Sequence, residues 1–249
     1  MNCLADFFAE NPKVAVAFSG GVDSAYLLYE AGEYAEEVRA YYVKSAFQPQ
    51  FELDDAVKFA DQLGISMKVL ELDILCNQEV KANPANRCYY CKKSIFQAIL
   101  REAEKDGFSL LIDGTNASDD AGDRPGMKAL AELEVRSPLR ECGISKEELR
   151  KRSRDLGLFT WNKPAYACLA TRIRTGQEID LSLLEAIERA EDFMFSLGFS
   201  DFRVRIIGTE ARIQCVEDQL SLLLANRSKI LNRLKEDFQA VTLDLEVRH

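Results

Sequence analysis

A short apolar run followed at once by a glycine loop constrains the fold of this 249-residue chain more than any other feature. Residues 14–18 read VAVAF, and residues 19–24 read SGGVDS before a stretch that opens as a helix. A continuous apolar run of this length predicts a buried parallel strand. Two adjacent glycines allow a tight turn, and the backbone N–H groups at the start of a helix attract anions. The sequence therefore predicts a strand, an anion-binding loop and a helix in direct succession.

Strand-like and helix-like stretches alternate through the first two-thirds of the chain. Further strands are predicted at residues 38–43, 67–72 and 110–112, and Val135 is expected on a short fifth strand. Helical patterns are predicted at residues 54–63, 92–105 and 145–156. This alternation predicts an α/β fold, a doubly wound Rossmann-like parallel sheet with helices on both of its faces.

The pattern changes after about residue 175, where a smaller α+β module is predicted. An amphipathic helix at 181–197 precedes two strands at 202–207 and 211–216, a mostly helical stretch at 218–238 and a strand at 241–247. We therefore expect two domains, residues 1–172 and residues 173–249, the second of a size usual for a domain. The smaller domain is expected to complete the substrate site or to mediate oligomer contacts, and we expect a homo-oligomer.

Composition narrows the classes of partner. The formal net charge is −9, whereas a surface that neutralises many phosphates usually has a basic excess. We therefore expect a small-molecule substrate rather than a nucleic acid. No run approaches the roughly 18 apolar residues of a membrane span, and the N-terminus lacks the pattern of a signal peptide. These observations predict a cytoplasmic protein with no membrane partner.

The glycine loop has the chemistry of a pyrophosphate cradle. Gly20 and Gly21 let the backbone approach a ligand, and the hydroxyl groups of Ser19 and Ser24 add donors. No Gly-Lys-[Ser/Thr] follows, so the loop is not a Walker A motif. A loop without that lysine suits cleavage of ATP between its α- and β-phosphates, with Asp23 as a candidate Mg²⁺ ligand. The alternative is a glycine-rich turn with a helix cap.

Cysteines are the other chemically reactive group, because His249 is the only histidine. Cys88 and Cys91 form a CxxC at the start of a predicted helix, and Cys168 is a third candidate. The CxxC is typical either of a dithiol redox pair or of two metal ligands, and a lone cysteine such as Cys168 is often a buried small side chain. Three thiolates with one open position suit an iron–sulfur cluster.

The remaining four cysteines are interpreted as buried small side chains. A disulfide framework is not expected in a chain of this predicted location. These residues are Cys3, Cys76, Cys142 and Cys215.

The loop resembles the signature of the PP-loop ATP pyrophosphatases, and the whole chain resembles the LarE family within that superfamily. The motifs that carry the second resemblance occur in family order: SGGVDS, NPANRCYYCKKSIF, DGTNASDDAGDRPGMKAL, VRSPL and KPAYACLATRI. The resemblance implies ATP, Mg²⁺ and an adenylated intermediate. It also implies conversion of a carboxylate of pyridinium-3,5-biscarboxylate mononucleotide to a thiocarboxylate, for the nickel-pincer cofactor of lactate racemase. Residues 1–172 would then be the PP-loop domain.

The same resemblance offers two sources of sulfur. Members of one type sacrifice the sulfur of a single cysteine, which Cys168 matches, and leave dehydroalanine. Members of the other type hold a [4Fe–4S] cluster on three cysteines, and Cys88 and Cys91 match the additional pair. We therefore expect the cluster type, with the donor that reloads the sulfur unidentified.

Further side chains are expected around the nucleotide and the substrate. Asp113 follows a predicted strand, where doubly wound folds place ligand groups, although it also suits an Asx turn. Ser45 follows the second strand and is a candidate adenosine contact. The guanidinium fork matches phosphate geometry, and the candidates are Arg172, Arg203 and Arg205, with Thr171 beside the first and Arg124 in an RPG turn. Arg203 and Arg205 are also typical of a solvated strand face.

Three other functions compete with this interpretation. A PP-loop tRNA thiolase also combines the loop with three cysteines, but the acidic charge argues against it. An amide-forming PP-loop synthetase needs no CxxC. A non-catalytic nucleotide-sensing protein would bind ATP without releasing pyrophosphate.

Overall fold

The computed structural model describes residues 3–119 and 125–248, which divide into two compact units. The first unit comprises Met1–Ile74 and Asn86–Ala165, and the second comprises Leu75–Ala85 and Tyr166–His249. The junction thus lies seven residues before the boundary expected at residues 172 and 173, and the second unit also takes a segment from the middle of the first.

The helices and strands of both units follow in chain order. The α-helices are α1 (Cys3–Glu10), α2 (Val22–Tyr34), α3 (Gln50–Leu63), α4 (Gln78–Lys81), α5 (Arg87–Lys105), α6 (Pro125–Glu132), α7 (Pro138–Glu141), α8 (Lys146–Asp155), α9 (Leu181–Ser196), α10 (Leu220–Ala225) and α11 (Arg227–Leu234). The strands are β1 (Lys13–Ala17), β2 (Glu37–Lys44), β3 (Met67–Glu71), β4 (Leu111–Asp113), β5 (Phe202–Ile207), β6 (Glu210–Cys215) and β7 (Ala240–Leu243).

The first unit contains a four-stranded parallel sheet in the order β3-β2-β1-β4. The chain runs outward from β1 to β3 and then returns to the other side of β1, so the order reverses between β1 and β4. Parallel α/β sheets bind their ligands at such a switch point, outside the carboxyl ends of the strands. The expected α/β fold class is confirmed.

Both faces of this sheet are covered, as a doubly wound fold requires. Val14 and Val16 of β1 pack into a cluster with residues of α1, α2 and α8, whereas Ala15 packs into a second cluster with α5 and α6. Successive side chains of a strand point to opposite faces, so one apolar strand contributes to both cores. This explains why β1 is apolar from Val14 to its end.

Two elements of the first unit differ from the sequence-based expectation. Val135 is not in a strand, because only an isolated bridge between Ile112 and Arg136 forms before Pro138 begins α7. A proline cannot donate a ladder hydrogen bond, which limits pairing there. Helix α5 begins at Arg87 rather than near residue 92, so the CxxC lies inside its first turns.

The second unit is built on a three-stranded sheet in the order β5-β6-β7. Strands β5 and β6 form an antiparallel pair, and β6 and β7 are parallel. Gly208, with φ of 62°, turns the chain between β5 and β6. The apolar stripe of α9 is buried in this unit, as the amphipathic pattern predicted.

Asn83 fastens the segment Leu75–Ala85 to the rest of the second unit. The residue has a left-handed backbone, with φ of 53°, and is 1% exposed. Its side-chain amide donates to the carbonyl oxygens of Arg174 at 2.9 Å and Gln177 at 3.1 Å. A buried amide that donates twice to backbone explains why this short segment clusters with residues far along the chain.

A disulfide joins Cys3 to Cys142, which corrects their interpretation as buried small side chains. Their Cα atoms are 5.7 Å apart, and the bond connects α1 to the residue after α7 across 139 residues of chain. Cys76 is exposed, which is also contrary to expectation, whereas Cys215 is buried in β6. Within the two described stretches of chain, no helix is long and apolar enough to cross a bilayer.

We predict that the Cys3→Ser/Cys142→Ser variant unfolds at a lower temperature than the wild type. A cross-link that closes a loop of 139 residues restricts the unfolded chain strongly, so the apparent Tm should fall by about 10 °C. Calorimetry without reductant measures this fall. Added reductant should lower the wild-type Tm and leave the variant unchanged, and equal Tm values would contradict the prediction.

Candidate active site

The glycine loop is closed upon itself by its serine side chains. The Ser24 hydroxyl donates to the carbonyl of Gly21 at 3.2 Å and accepts from the backbone N–H of Ser19 at 3.2 Å. The two serine hydroxyl oxygens are 3.1 Å apart. Gly20 has φ of 73°, and a Cβ there would lie 3.2 Å from the Cβ of Ala56. The loop thus requires glycine at this position, for its conformation and for space.

Gly114, which follows β4, packs directly against this loop. A Cβ built on Gly114 would lie 2.7 Å from the backbone nitrogen of Ser24 and 3.1 Å from the carbonyl carbon of Asp23. Ala17 pairs with Asp113 in the sheet register, so the loops that follow β1 and β4 begin side by side. Gly114 was not among the predicted site residues, although a glycine directly after a buried strand is a signal for such close approach.

Asp113 is buried and shapes the end of β4. One carboxylate oxygen accepts from the Ser137 hydroxyl at 2.6 Å, and the other accepts from the Thr115 hydroxyl at 2.6 Å. Ser45 likewise organises its own turn after β2, since its hydroxyl donates to Gln48 Oε1 at 2.7 Å. The expected ligand contacts of Asp113 and Ser45 stay predictions.

Asp23 lies in the first turn of α2, between a lysine and an amide. Lys146 Nζ is 2.5 Å from Asp23 Oδ2, and Asn116 Nδ2 donates to Asp23 Oδ1 at 3.2 Å. Lys146 opens α8, where the Ser145 side chain caps the helix by accepting from the N–H of Glu148. Lys146 and Asn116 were not among the predicted site residues, because nothing in the local sequence places α8 beside the glycine loop.

A second lysine approaches the loop at Gly20. Lys163 Nζ lies 2.7 Å from Asp55 Oδ2 and 3.4 Å from the Gly20 carbonyl oxygen. Arg150 holds the segment that carries this lysine by donating to the carbonyl of Lys163 at 2.9 Å. The glycine loop therefore has two ammonium groups close to it, although it lacks the lysine of a Walker A motif.

Cys88 and Cys91 lie on one face of α5, because positions three apart in a helix are neighbours. Cys88 is exposed and Cys91 is partly exposed. Two thiols so placed fit two ligand positions of a cluster or a redox pair. Among residues 3–119 and 125–248, no three Cys, His, Asp or Glu side chains are grouped so that they could hold a metal ion.

Cys168 belongs to the second unit, where it caps a 3₁₀ turn over Leu169–Arg172. The Thr171 hydroxyl donates to the carbonyl of Cys168 at 2.9 Å. Arg172 is 1% exposed, and its guanidinium is paired with Glu191, with Arg172 Nη2 at 2.8 Å from Glu191 Oε2. Burial lowers the pKa of Arg172, but the hydrogen bonds and charge of Glu191 outweigh it and hold that pKa above its ordinary value.

Arg203 and Arg205 lie on β5, near Arg172. Burial lowers the pKa of Arg203 to about 10, and the charge of Arg172 adds to the fall. Burial and the same charge also lower the pKa of Arg205, whose Nη1 donates to the Thr171 carbonyl at 3.0 Å. An anion bound here would relieve the repulsion among the three guanidinium groups. The remaining candidate, Arg124, lies outside the described residues.

Comparison with known proteins shows the family to which the chain belongs. The family model for queuosine biosynthesis protein QueC matches residues 13–88. Pyridinium-3,5-bisthiocarboxylic acid mononucleotide synthase of Lactiplantibacillus plantarum is 32% identical over 94% of this chain and 86% of its own. The chain belongs to the family of this synthase. An uncharacterized protein of Synechocystis sp. is 38% identical to this LarE-family chain. The match covers 98% of this chain and 92% of the Synechocystis protein.

A tRNA thiolase matches a smaller share of this LarE-family chain. A tRNA-specific 2-thiouridylase of Clostridium botulinum is 27% identical over 60% of the chain and 52% of its own length. That likeness is partial, whereas the likeness to the synthase extends over nearly the whole of both chains.

We predict that Lys146→Met weakens the binding of MgATP. A charged hydrogen bond to phosphate contributes about 1.5–3 kcal/mol, so the Kd should rise by about 10- to 100-fold. Equilibrium dialysis with labelled ATP measures this change. The matched control is Lys151→Met, which removes an exposed lysine from the same helix and should bind ATP as the wild type does. Equal Kd values for Lys146→Met and the wild type would contradict a role for Lys146 at the phosphates.

Proposed function

We propose that this protein is an ATP-dependent sulfur transferase, which adenylates a carboxylate of pyridinium-3,5-biscarboxylate mononucleotide and converts it to a thiocarboxylate. The observation that carries the proposal is the 32% identity to the Lactiplantibacillus plantarum synthase over most of both chains. The thiocarboxylate would serve the nickel-pincer cofactor of lactate racemase. The glycine loop and Cys168 supply the two chemical groups that this conversion needs.

The first half of the reaction is proposed for the glycine loop. The backbone N–H groups of residues 19–24 would hold the β- and γ-phosphates at the start of α2. Lys146 and Lys163 would neutralise the pyrophosphate as it leaves. The substrate carboxylate attacks the α-phosphorus, one P–O bond breaks, and an acyl adenylate and pyrophosphate form.

One side chain of the glycine loop, that of Asp23, is suited to bind Mg²⁺. The Asp23 carboxylate is an oxygen ligand of the kind Mg²⁺ prefers, and it already attracts a cation, because Lys146 Nζ lies 2.5 Å away. When bound, the ion would withdraw charge from the phosphate oxygens. Asp113 fits less well, because it is buried against the hydroxyl groups of Thr115 and Ser137, whereas Asp23 is partly exposed.

The phosphate of the substrate is proposed to bind Arg203 and Arg205. Their lowered pKa values come from burial and from the charge of Arg172, and a phosphate would stabilise both guanidinium groups. Thr171 adds a hydroxyl on the neighbouring turn. The guanidinium of Arg172 is paired with Glu191, so in this proposal it does not contact the phosphate directly.

The second half of the reaction is proposed for Cys168, with two candidate sources of sulfur. In the sacrificial reaction the Cys168 sulfur attacks the activated carbonyl carbon, a C–S bond forms, and the C–O bond to AMP breaks. Adenylation makes this possible because AMP is a better leaving group than oxide. Elimination would then remove the Cα proton of Cys168 to a base and break its Cβ–S bond, which releases the thiocarboxylate and leaves dehydroalanine, as in the sacrificial type of the family.

An iron–sulfur cluster on Cys88, Cys91 and Cys168 is the alternative source of sulfur that we favour. Cys88 and Cys91 fit two of its ligand positions, because they share one face of α5. When bound, the cluster would supply sulfide sulfur and so spare the Cys168 side chain. The cluster, the cytoplasmic location and the homo-oligomeric state stay predictions.

A tRNA thiolase is the second candidate, since the Clostridium botulinum enzyme shares part of the chain. The net charge of −9 and the restriction of that likeness to 60% of the chain favour the mononucleotide substrate instead.

We predict that the anaerobically purified protein, supplied with MgATP and the biscarboxylate mononucleotide, yields AMP, pyrophosphate and a thiocarboxylate product. Mass spectrometry measures the gain of sulfur, and iron and acid-labile sulfide are measured on the same sample. Cys168→Ala should still form AMP while making no thiocarboxylate. If the cluster is present, about four irons per chain should be found, and Cys88→Ala/Cys91→Ala should lose them.

Two results would change this assignment. Product formation without iron, with one product per chain and a loss of sulfur from Cys168, would replace the cluster by the sacrificial reaction. Absence of any AMP that depends on the mononucleotide would contradict the proposed function, and sulfur transfer to tRNA would support the second candidate.

A further inference from the structure

Glu191 lies where an apolar side chain is expected. It belongs to the stripe of α9 that also contains Leu184, Ile187 and Met194, and it is 1% exposed. An ionised carboxylate in such a place requires several hydrogen bonds to offset the loss of its hydration. The groups that donate hydrogen bonds to this carboxylate therefore indicate its role.

The two carboxylate oxygens of Glu191 bind three parts of the second unit. Glu191 Oε1 accepts from Arg172 Nε at 2.9 Å and from the backbone N–H of Val204 at 2.8 Å. Glu191 Oε2 accepts from Arg172 Nη2 at 2.8 Å and from the Tyr166 hydroxyl. One carboxylate on α9 thus fixes β5, Tyr166, which lies two residues before Cys168, and Arg172, the last residue of the turn that follows Cys168.

Arg172 extends this arrangement to the sulfur-bearing residue. Its Nη1 donates to the carbonyl oxygens of Ala167 and Cys168, the second at 3.2 Å, and lies 3.0 Å from the Thr171 hydroxyl. Its guanidinium carbon also lies 4.5 Å from the centre of the Tyr166 ring. The backbone on both sides of the Cys168 side chain is therefore bound to one buried guanidinium.

The simplest alternative is that this is a core ion pair which only stabilises the fold. Buried ion pairs are poor sources of net stability, because desolvation of both charges offsets their attraction. The Nη1 donor of Arg172, which Glu191 does not bind, is directed at the carbonyls of Ala167 and Cys168. This direction favours a role in placing Cys168 over a role in general stability.

We propose that Glu191 is a positioning residue, which acts through Arg172 and Tyr166 to fix the turn that carries Cys168. The same pairing holds Arg172 away from the substrate phosphate and leaves that phosphate to Arg203 and Arg205. The catalytic meaning of this arrangement rests on the proposed function. The restraint on Cys168 itself does not, so it can be tested without substrate.

We predict that Glu191→Gln makes Cys168 more reactive towards iodoacetamide by about tenfold at fixed pH, because a charged and buried set of hydrogen bonds is lost. The glutamine keeps the shape of the side chain but places an NH₂ group against other donors. Mass spectrometry of the Cys168 peptide measures the rate in the folded protein. Tyr166→Phe, which removes a single hydroxyl, should give a smaller rise.

Cys215 serves as an internal reference, because it is buried in β6 of the same unit. Its alkylation rate should stay the same in Glu191→Gln if only the Cys168 turn has loosened. The matched control is Glu178→Gln, which breaks the exposed pair with Lys81 and should change neither rate. A parallel rise for Cys168 and Cys215, or no rise at all, would overturn the proposal.

A second readout separates this proposal from the proposed function. In Glu191→Gln, AMP formation that depends on the mononucleotide should persist, whereas kcat for thiocarboxylate formation should fall with little change in KM. An equal loss of both activities would overturn the positioning role. Absence of both in the wild type would instead contradict the proposed function and leave the alkylation result to stand alone.

Discussion

The close approach of two backbone segments at the carboxyl end of the parallel sheet is the constraint on which the first unit depends. Gly114 packs so tightly against Ser24 that a Cβ would fall 2.7 Å from a backbone nitrogen. This contact is possible because Ala17 and Asp113 are paired in register, so the loops after β1 and β4 start together. The glycine loop, Asn116 and the buried Asp113 all take their places from this junction.

Local positive charge explains how an acidic chain can handle anionic ligands. The net charge is −9, yet two lysines lie against the glycine loop and three arginines lie together in the second unit. In each unit one carboxylate holds a cation in place: Asp23 holds Lys146, and Glu191 holds Arg172. Burial strengthens the attraction between Glu191 and Arg172, because water and salt do not screen it, whereas Asp23 and Lys146 are partly exposed.

The sequence predicted the strand, loop and helix that form this site better than it predicted the distant residues that contact them. The strand, the glycine loop and the following helix could be predicted because each has a local signal in spacing and residue type. The disulfide between Cys3 and Cys142 and the contact of Lys146 with Asp23 could not, because both join residues more than 100 positions apart. Glu191 did leave a signal, a carboxylate on the apolar stripe of a helix, although its partner Arg172 was interpreted as a phosphate ligand.

The central claim is that a substrate carboxylate attacks the α-phosphorus of ATP. The most direct test follows the carboxylate oxygen atom that makes this attack. The biscarboxylate mononucleotide would be labelled with ¹⁸O in its carboxylates and converted with unlabelled MgATP. We predict AMP that carries one ¹⁸O atom, since the attacking oxygen stays with phosphorus when sulfur displaces AMP. Unlabelled AMP, or label in inorganic phosphate after attack at the γ-phosphorus, would contradict the account.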